Sequence, residues 1–259
     1  MRSVPTRILI FLFATTQFVC ADWQIVATSN ESSPVAGLVH RYLKLAETET
    51  GVRAIVDLAL FSTKACKLRV IDNPDGAADL AATMRREDCL AGVNGGYFDP
   101  NFGPLGLRIV DGEITSRLIH GRLMTGVVAS SDNLTQIFRV GEFSLRRKWN
   151  AAVECGPFLV DLAKPVKGLE ATRAARRTFA VTGSGDRAAV GFASEMALAD
   201  LARILAKPLG DFKVQRALNL DGGSSSAFWF KRETGNAYSI SEQKNVRDFV
   251  GIVASASSR

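Results

Sequence analysis

Asn219-Leu220-Asp221-Gly222-Gly223-Ser224-Ser225-Ser226 interrupts an apolar run that begins at Ala217 and resumes at Ala227-Phe228-Trp229-Phe230. An amide, a carboxylate, two glycines and three hydroxyls in one short stretch are equipped for chemistry. Gly222 and Gly223 lack a Cβ, so the chain can take positive φ there and a ligand can approach the backbone closely. Consecutive N–H groups at such a turn can form a concave nest that attracts anions. On a strand, Asn219 and Asp221 point to the same face. The competing reading is structural: a strand, a Gly-Gly turn and a hairpin return, with Asp221 as a turn former.

Three further stretches carry polar groups of the same kind. Ala91-Gly92-Val93-Asn94-Gly95-Gly96-Tyr97-Phe98-Asp99-Pro100 repeats the logic of a short strand, a polar side chain, paired glycines and a nearby carboxylate. Val153-Glu154-Cys155-Gly156-Pro157 places a carboxylate on an apolar strand, and Arg177-Thr178 opens another. Each has a plain structural account. Asp99 before Pro100 suits a turn, Glu154 suits a solvated strand position, Arg177 suits an ion pair at the core edge, and Tyr97 and Phe98 suit packing. Thr178, being β-branched, suits a strand for its own sake.

In order along the chain, Asn94-Gly95-Gly96-Tyr97-Phe98, Pro104-Leu105-Gly106-Leu107 with its Asp111-Gly112 hairpin, Arg177-Thr178, and a helix leading into Asn219–Ser225 resemble the phosphodiester glycosidase family. The resemblance spans roughly residues 50–254. The family's lysosomal member removes N-acetylglucosamine from a sugar-1-phosphate diester, and its bacterial relatives are linked to exopolysaccharide. The chain departs from the family pattern in two places: Ser224 stands where a third glycine is common, and Ala180 and Val181 stand where a glycine tends to follow the Arg-Thr pair. Neither removes a carboxylate or the arginine.

The resemblance implies a hydrolase that cleaves the glycosidic bond of a sugar-1-phosphodiester in a cell-envelope or extracellular glycan. Glycoside hydrolysis commonly uses paired carboxylates. Asp221 and Asp99 are the first candidates for that pair, with Glu154 third. Arg177 supplies forked donors for the phosphate. Asn94, Asn219 and Thr178, the N–H groups of Gly95, Gly96, Gly222 and Gly223, and Ser224 and Ser225 make up the expected substrate-binding set.

Other classes compete less well. A non-catalytic module that binds anionic glycan would use the same arginine, asparagines and glycines, yet would gain nothing from carboxylates in its pocket. A serine hydrolase at Ser224–Ser226 needs an activating base; His40 and His120 are the chain's two histidines, and no GxSxG elbow is present. No cofactor or metal site is expected: Cys/His ligand spacing for zinc is missing, and although Asp and Asn oxygens could hold a divalent cation, no ligand-loop spacing appears. The cations at Arg85-Arg86, Arg146-Arg147-Lys148 and Arg176-Arg177 are too scattered for a nucleic-acid face.

These residues need elements to position them. Arg2 and Arg7 flank an apolar Ile8–Ala14, and Val19-Cys20-Ala21 offers a cleavage site, so residues 1–21 read as a signal peptide too short to span a membrane. The protein is therefore expected to be periplasmic or secreted, with the formal charge of +6 falling to +4 on cleavage. Cys66, Cys89 and Cys155 remain, Cys66 and Cys89 being the nearer pair if a disulfide forms.

Residues 22–259 read as a single α+β domain, a mixed β-sheet core with flanking helices. Strands are expected at Trp23–Val26, near Leu38–Leu45, at Arg53–Phe61 and at Lys67–Ile71. Others follow around the Asp111-Gly112 turn, across Gly126–Phe143, on both sides of Gly183–Asp186, and at Asp248–Ala254. Helices are expected over 77–87 and from an N-cap at Ser194 to about Ala206, the latter burying Leu198, Leu201, Ala202 and Leu205.

Overall fold

The computed structural model describes residues 22–132 and 134–255. The signal-like stretch 1–21 lies outside the described residues. The chain opens with the meander β1 (Trp23–Ser32), β2 (Leu38–Glu47) and β3 (Arg53–Ser62), then β4 (Cys66–Asp72), helix α1 (Leu80–Arg86) and β5 (Ala91–Asn94). Two hairpins follow, β6 (Arg108–Val110) with β7 (Glu113–Ser116), and β8 (Gly126–Ser131) with β9 (Leu134–Arg139). Next come β10 (Ala151–Cys155), β11 (Phe158–Asp161), β12 (Lys164–Pro165), β13 (Ala175–Gly183) and β14 (Arg187–Met196). Helix α2 (Leu198–Ala206), β15 (Val214–Asn219), β16 (Phe228–Phe230), β17 (Tyr238–Ile240) and β18 (Asp248–Ala254) complete it.

The strands form one eight-stranded sheet (β1-β2-β3-β14-β13-β15-β11-β12) and two five-stranded sheets (β7-β6-β10-β8-β9 and β17-β16-β5-β18-β4). Pairings among the described residues are antiparallel, which narrows the expected mixed sheet. The sheets share one central core. On β3 the strand period of two sends Ala59 and Phe61 into that core, while Val56, Leu58 and Leu60 face the other way, into the layer capped by α2. Both faces of β3 are thus covered, and each buried Val, Leu or Phe contributes about 1.5–3 kcal/mol. The Asp111-Gly112 hairpin forms as expected, with φ of 47° and 90° at its two central residues.

The expectation of flanking helices is corrected: the described residues hold two short α-helices against a sheet-rich body. The first begins later than expected because Asn73 claims its start. The Asn73 amide donates to the Ala78 carbonyl at 3.1 Å and accepts the Ala78 N–H at 3.3 Å, so the helix waits for Asp79, whose carboxylate accepts the Ala82 N–H. Ser194 is not a helix cap. It lies in β14, and its hydroxyl accepts the Ile55 N–H at 2.9 Å across the sheet. Helix α2 starts instead after Ala197, where the Glu170 carbonyl accepts the Ala199 N–H at 2.9 Å; Leu201, Ala202, Ile204 and Leu205 are buried beneath it.

The Cys66–Cys89 pairing is also corrected. Among the described residues Cys66, Cys89 and Cys155 are free and buried. Cys66 belongs to the central core and Cys89 to the separate cluster under α1, so the two thiols do not meet.

Candidate active site

Two strand ends converge at the site. β15 ends at Asn219 and β5 at Asn94, and the chain beyond each is tied to the other: the Asp221 N–H donates to the Gly95 carbonyl at 3.0 Å. Asn94, 1% exposed, donates its amide to the Asp221 carbonyl at 2.7 Å and accepts from the Thr178 hydroxyl at 2.7 Å and the Ala227 N–H at 3.1 Å. Leu220 points inward and is fully buried, which turns Asn219 and Asp221 to the opposite side. There they line a cavity of about 830 Å³, together with Tyr97, Arg122, Glu170, Arg173, Arg177, Gly222 and Gly223.

Arg177, Asn219 and Tyr97 are held in place on this wall. Arg177 donates Nε to the Met196 carbonyl at 3.0 Å and Nη2 to the Arg173 carbonyl at 2.8 Å, with Glu170 Oε2 3.7 Å from Nη2. Asn219 Nδ2 donates to the Gly156 carbonyl at 3.0 Å and contacts the Tyr97 hydroxyl at 3.3 Å; that hydroxyl donates to Gly156 at 2.6 Å. These acceptors fix the Asn219 amide, and its Oδ1 is left buried with no partner among the described residues.

The carboxylates differ in charge state. Burial pushes the Asp221 carboxyl above its ordinary 3.8, with Asp248 adding to the rise, against the pull of the Ser225 hydroxyl, Lys244 and the Gly222 N–H. Burial also acts on Glu170, but there the Arg173 N–H, the Thr172 hydroxyl and N–H, and the charge of Arg177 win and hold it below 4.5. One wall therefore carries a carboxyl inclined to hold a proton and one inclined to stay ionised, an arrangement that separates acid–base roles.

Behind the wall lies a buried ionic frame. Arg108 and Asp248, each 2% exposed, pair through Nε and Oδ2 at 2.7 Å. Asp248 also accepts the Gly96 N–H at 2.9 Å through Oδ1 and the Gly95 N–H at 2.9 Å through its carbonyl. Glu154 is fully buried, not solvated, and its Oε2 accepts the Leu107 and Ile119 N–H groups at 2.8 and 3.0 Å.

Set against the residues expected from sequence, the structure brings Asp221, Arg177, Asn219, Gly222 and Gly223 to the cavity. It places Asn94, Gly95, Gly96 and Thr178 one layer behind, as the clamp described above. Asp99 is not on the cavity wall: its Oδ1 accepts the Asn101 and Gly103 N–H groups, both at 2.8 Å, in a turn. Ser224 is exposed off the wall and Ser225 is buried beneath it. The Gly95 and Gly96 N–H groups are engaged by Asp248 and the Gly222 N–H by Asp221 Oδ1, so these do not form an open anion nest. His40 bonds Asp57 and Glu31, and His120 is exposed without a serine partner among the described residues.

The sequence profile of the phosphodiester glycosidase family matches residues 87–253. The chain belongs to that family. Among solved structures, the catalytic domain of zebrafish N-acetylglucosamine-1-phosphodiester alpha-N-acetylglucosaminidase, auto-inhibited by its pro-peptide, superposes with a TM-score of 0.64 and 14% identity, covering 90% of this chain and 88% of the other. A Burkholderia pseudomallei protein named as a presumptive exported protein superposes with a TM-score of 0.62 and 11% identity, covering 92% and 98%. At these identities the likeness is one of fold. No curated protein sequence matches the chain.

Within this phosphodiester glycosidase domain, sequence reasoning missed Glu170, Arg122 and Arg173. The last two sit in polar loops whose composition resembles ordinary surface. Glu170 had one faint signal, its place in a basic loop just before Arg177. Among the described residues no group of three or more His, Cys, Asp or Glu is arranged to hold a metal, and no helix is long and apolar enough to cross a membrane.

Proposed function

We propose that the cavity hydrolyses the glycosidic bond of a sugar-1-phosphodiester, in an exported protein acting on a cell-envelope or extracellular glycan. The observation that carries this reading is Asp221, with its raised carboxyl, on one wall with Arg177, Arg122 and Arg173. A phosphate monoester is a good leaving group and needs little protonation, so the demand for proton transfer falls on the attacking water. Asp221, once ionised, takes that proton as water adds to the anomeric carbon. The C–O bond breaks with its electrons going to the phosphate oxygen, where the Arg177 guanidinium stabilises the charge. Glu170 braces Arg177 and adds negative charge beside a developing oxocarbenium centre. Support for export comes from the signal-like pattern of residues 1–21 and from a structural neighbour named as a presumptive exported protein.

The arginines alone would equally suit a module that binds anionic glycan without cleaving it. A carboxylate on the same wall opposes anion binding, which favours the enzyme. The test is hydrolysis by protein lacking residues 1–21 of a panel of sugar-1-phosphodiesters with a chromogenic second ester. Release of free sugar, lost in folded Asp221→Asn and Arg177→Ala, supports the reading. Binding of anionic glycan with no turnover across the panel would replace it with the binding module.

A further inference from the structure

Exposed apolar residues stand on loops that border the cavity. Leu123 lines the cavity and is 63% exposed, and Leu105 and Ile119, 41% and 38% exposed, stand on adjoining loops. These loops are anchored. Leu105 donates its N–H to the Tyr97 carbonyl at 2.8 Å, Ile119 donates to buried Glu154 at 3.0 Å, and Met124 is buried next to Leu123. The fold thus holds the backbone firmly while presenting these side chains outward. Single exposed apolar residues need no explanation, but several on the anchored loops beside one pocket point to an interaction site.

The rim is also basic. Arg117 and Arg122 are exposed in the same loop as Ile119 and Leu123, and Arg173 lines the cavity. Inside, Pro157, Leu169 and Leu198 carry the apolar surface toward Arg177. Leucine and isoleucine threaded with arginines compose a surface suited to a lipid–water boundary.

A phosphodiester has two ester arms. In the reaction proposed above one arm is the sugar, and the other departs with the phosphate. We infer, resting on that reading of the site, that the second arm is a long hydrocarbon chain: the substrate is an amphiphilic sugar-1-phosphodiester taken from a lipid surface. The arginines meet its phosphate, and Leu123, Leu105 and Ile119 meet its chain.

The test compares methyl and hexadecyl diesters of glucose-, mannose- and N-acetylglucosamine-1-phosphate, the hexadecyl esters dispersed in phosphatidylcholine vesicles. The hexadecyl ester of the accepted sugar is expected to show a kcat/KM about tenfold or more above its methyl ester. Ile119→Asp and Leu105→Asp, which lie off the cavity wall, should remove that preference and leave methyl-ester turnover unchanged. Equal turnover of the two esters by the unmodified protein, or a preference that survives both substitutions, overturns the lipid arm while the glycosidase stands. Cleavage of neither ester of any sugar overturns both. As a readout apart from turnover, the protein should co-sediment with phosphatidylcholine vesicles carrying hexadecyl phosphate, and Ile119→Asp should not; failure of the unmodified protein to sediment counts against the inference.

Discussion

Gly95-Gly96 and Gly222-Gly223 look alike in the sequence, each pair following an asparagine-bearing strand end, and the fold uses them in opposite ways. A Cβ on Gly95 would stand 1.7 Å from Asp248 Oδ1, and one on Gly96 2.1 Å from Arg108 Nη2. That pair is glycine so that a buried ion pair can pass. Gly223, by contrast, has φ of +65° with nothing within 4 Å of its would-be Cβ, and both Gly222 and Gly223 line the cavity. Here the requirement is dihedral, and the space in front is left for a ligand. Gly95 and Gly96 thus mark close approach to the protein's own charges, whereas Gly223 marks a left-handed backbone facing open space and Gly222 a close pass of the Arg176 carbonyl, 3.2 Å from a would-be Cβ.

Gly96→Ala tests the first half of that contrast most severely. It drives a methyl into the Arg108 guanidinium and should cost about 3–5 kcal/mol, as breaking a buried ion pair does. Urea unfolding measures it, and a loss below about 1 kcal/mol would show that the ion pair does not need the gap.

Asp221→Asn should leave the fold intact and lower kcat about 10²- to 10⁴-fold. Its pH behaviour sharpens the point. The folded protein holds the Asp221 proton more tightly than the unfolded chain, so stability falls as pH rises from the ordinary 3.8 through the raised folded value. The asparagine variant escapes that loss. Its melting temperature should match or exceed that of the unmodified protein at pH 7, the difference closing on acidification toward 3.8. Turnover by the unmodified protein should rise across the same window, as a base loses its proton.

Arg177→Lys keeps the charge but cannot span the Met196 and Arg173 carbonyls and still offer a fork. A drop of about 10²-fold in kcat/KM is expected. The mildest change is Gly223→Ala, with a penalty of about 1–2 kcal/mol for its left-handed backbone. Calorimetry should find it well short of Gly96→Ala, and comparable losses would erase the contrast between the two pairs.

What the sequence revealed follows physical range. The Asp111-Gly112 hairpin, the alternation of β4 and the approach to Asp221 are local patterns, and each appears where expected. Arg177 was legible because its neighbours resemble a family motif. Glu170 reaches the cavity because its carbonyl caps α2 at Ala199, a contact outside its own loop that no local spacing announces. Glu154 was misjudged as solvated because a carboxylate on a strand is ordinarily exposed; two loop N–H groups, from Leu107 and Ile119, make its burial tolerable. Asp99 shows the converse, since the turn reading of Asp-Pro accounts for its hydrogen bonds.

The buried cysteines carry a consequence for the life of the molecule after folding. Burial pushes the thiols of Cys89 and Cys155 up to about 12 and that of Cys66 to about 11. At neutral pH only about one in 10⁴ or fewer of each exists as the thiolate that oxidants attack. In the exported protein proposed above, three free thiols would meet a compartment where disulfides form freely, with scrambling and covalent clumping as the hazard. Here folding itself is the antioxidant, so the period of risk is confined to the time before the sheets close.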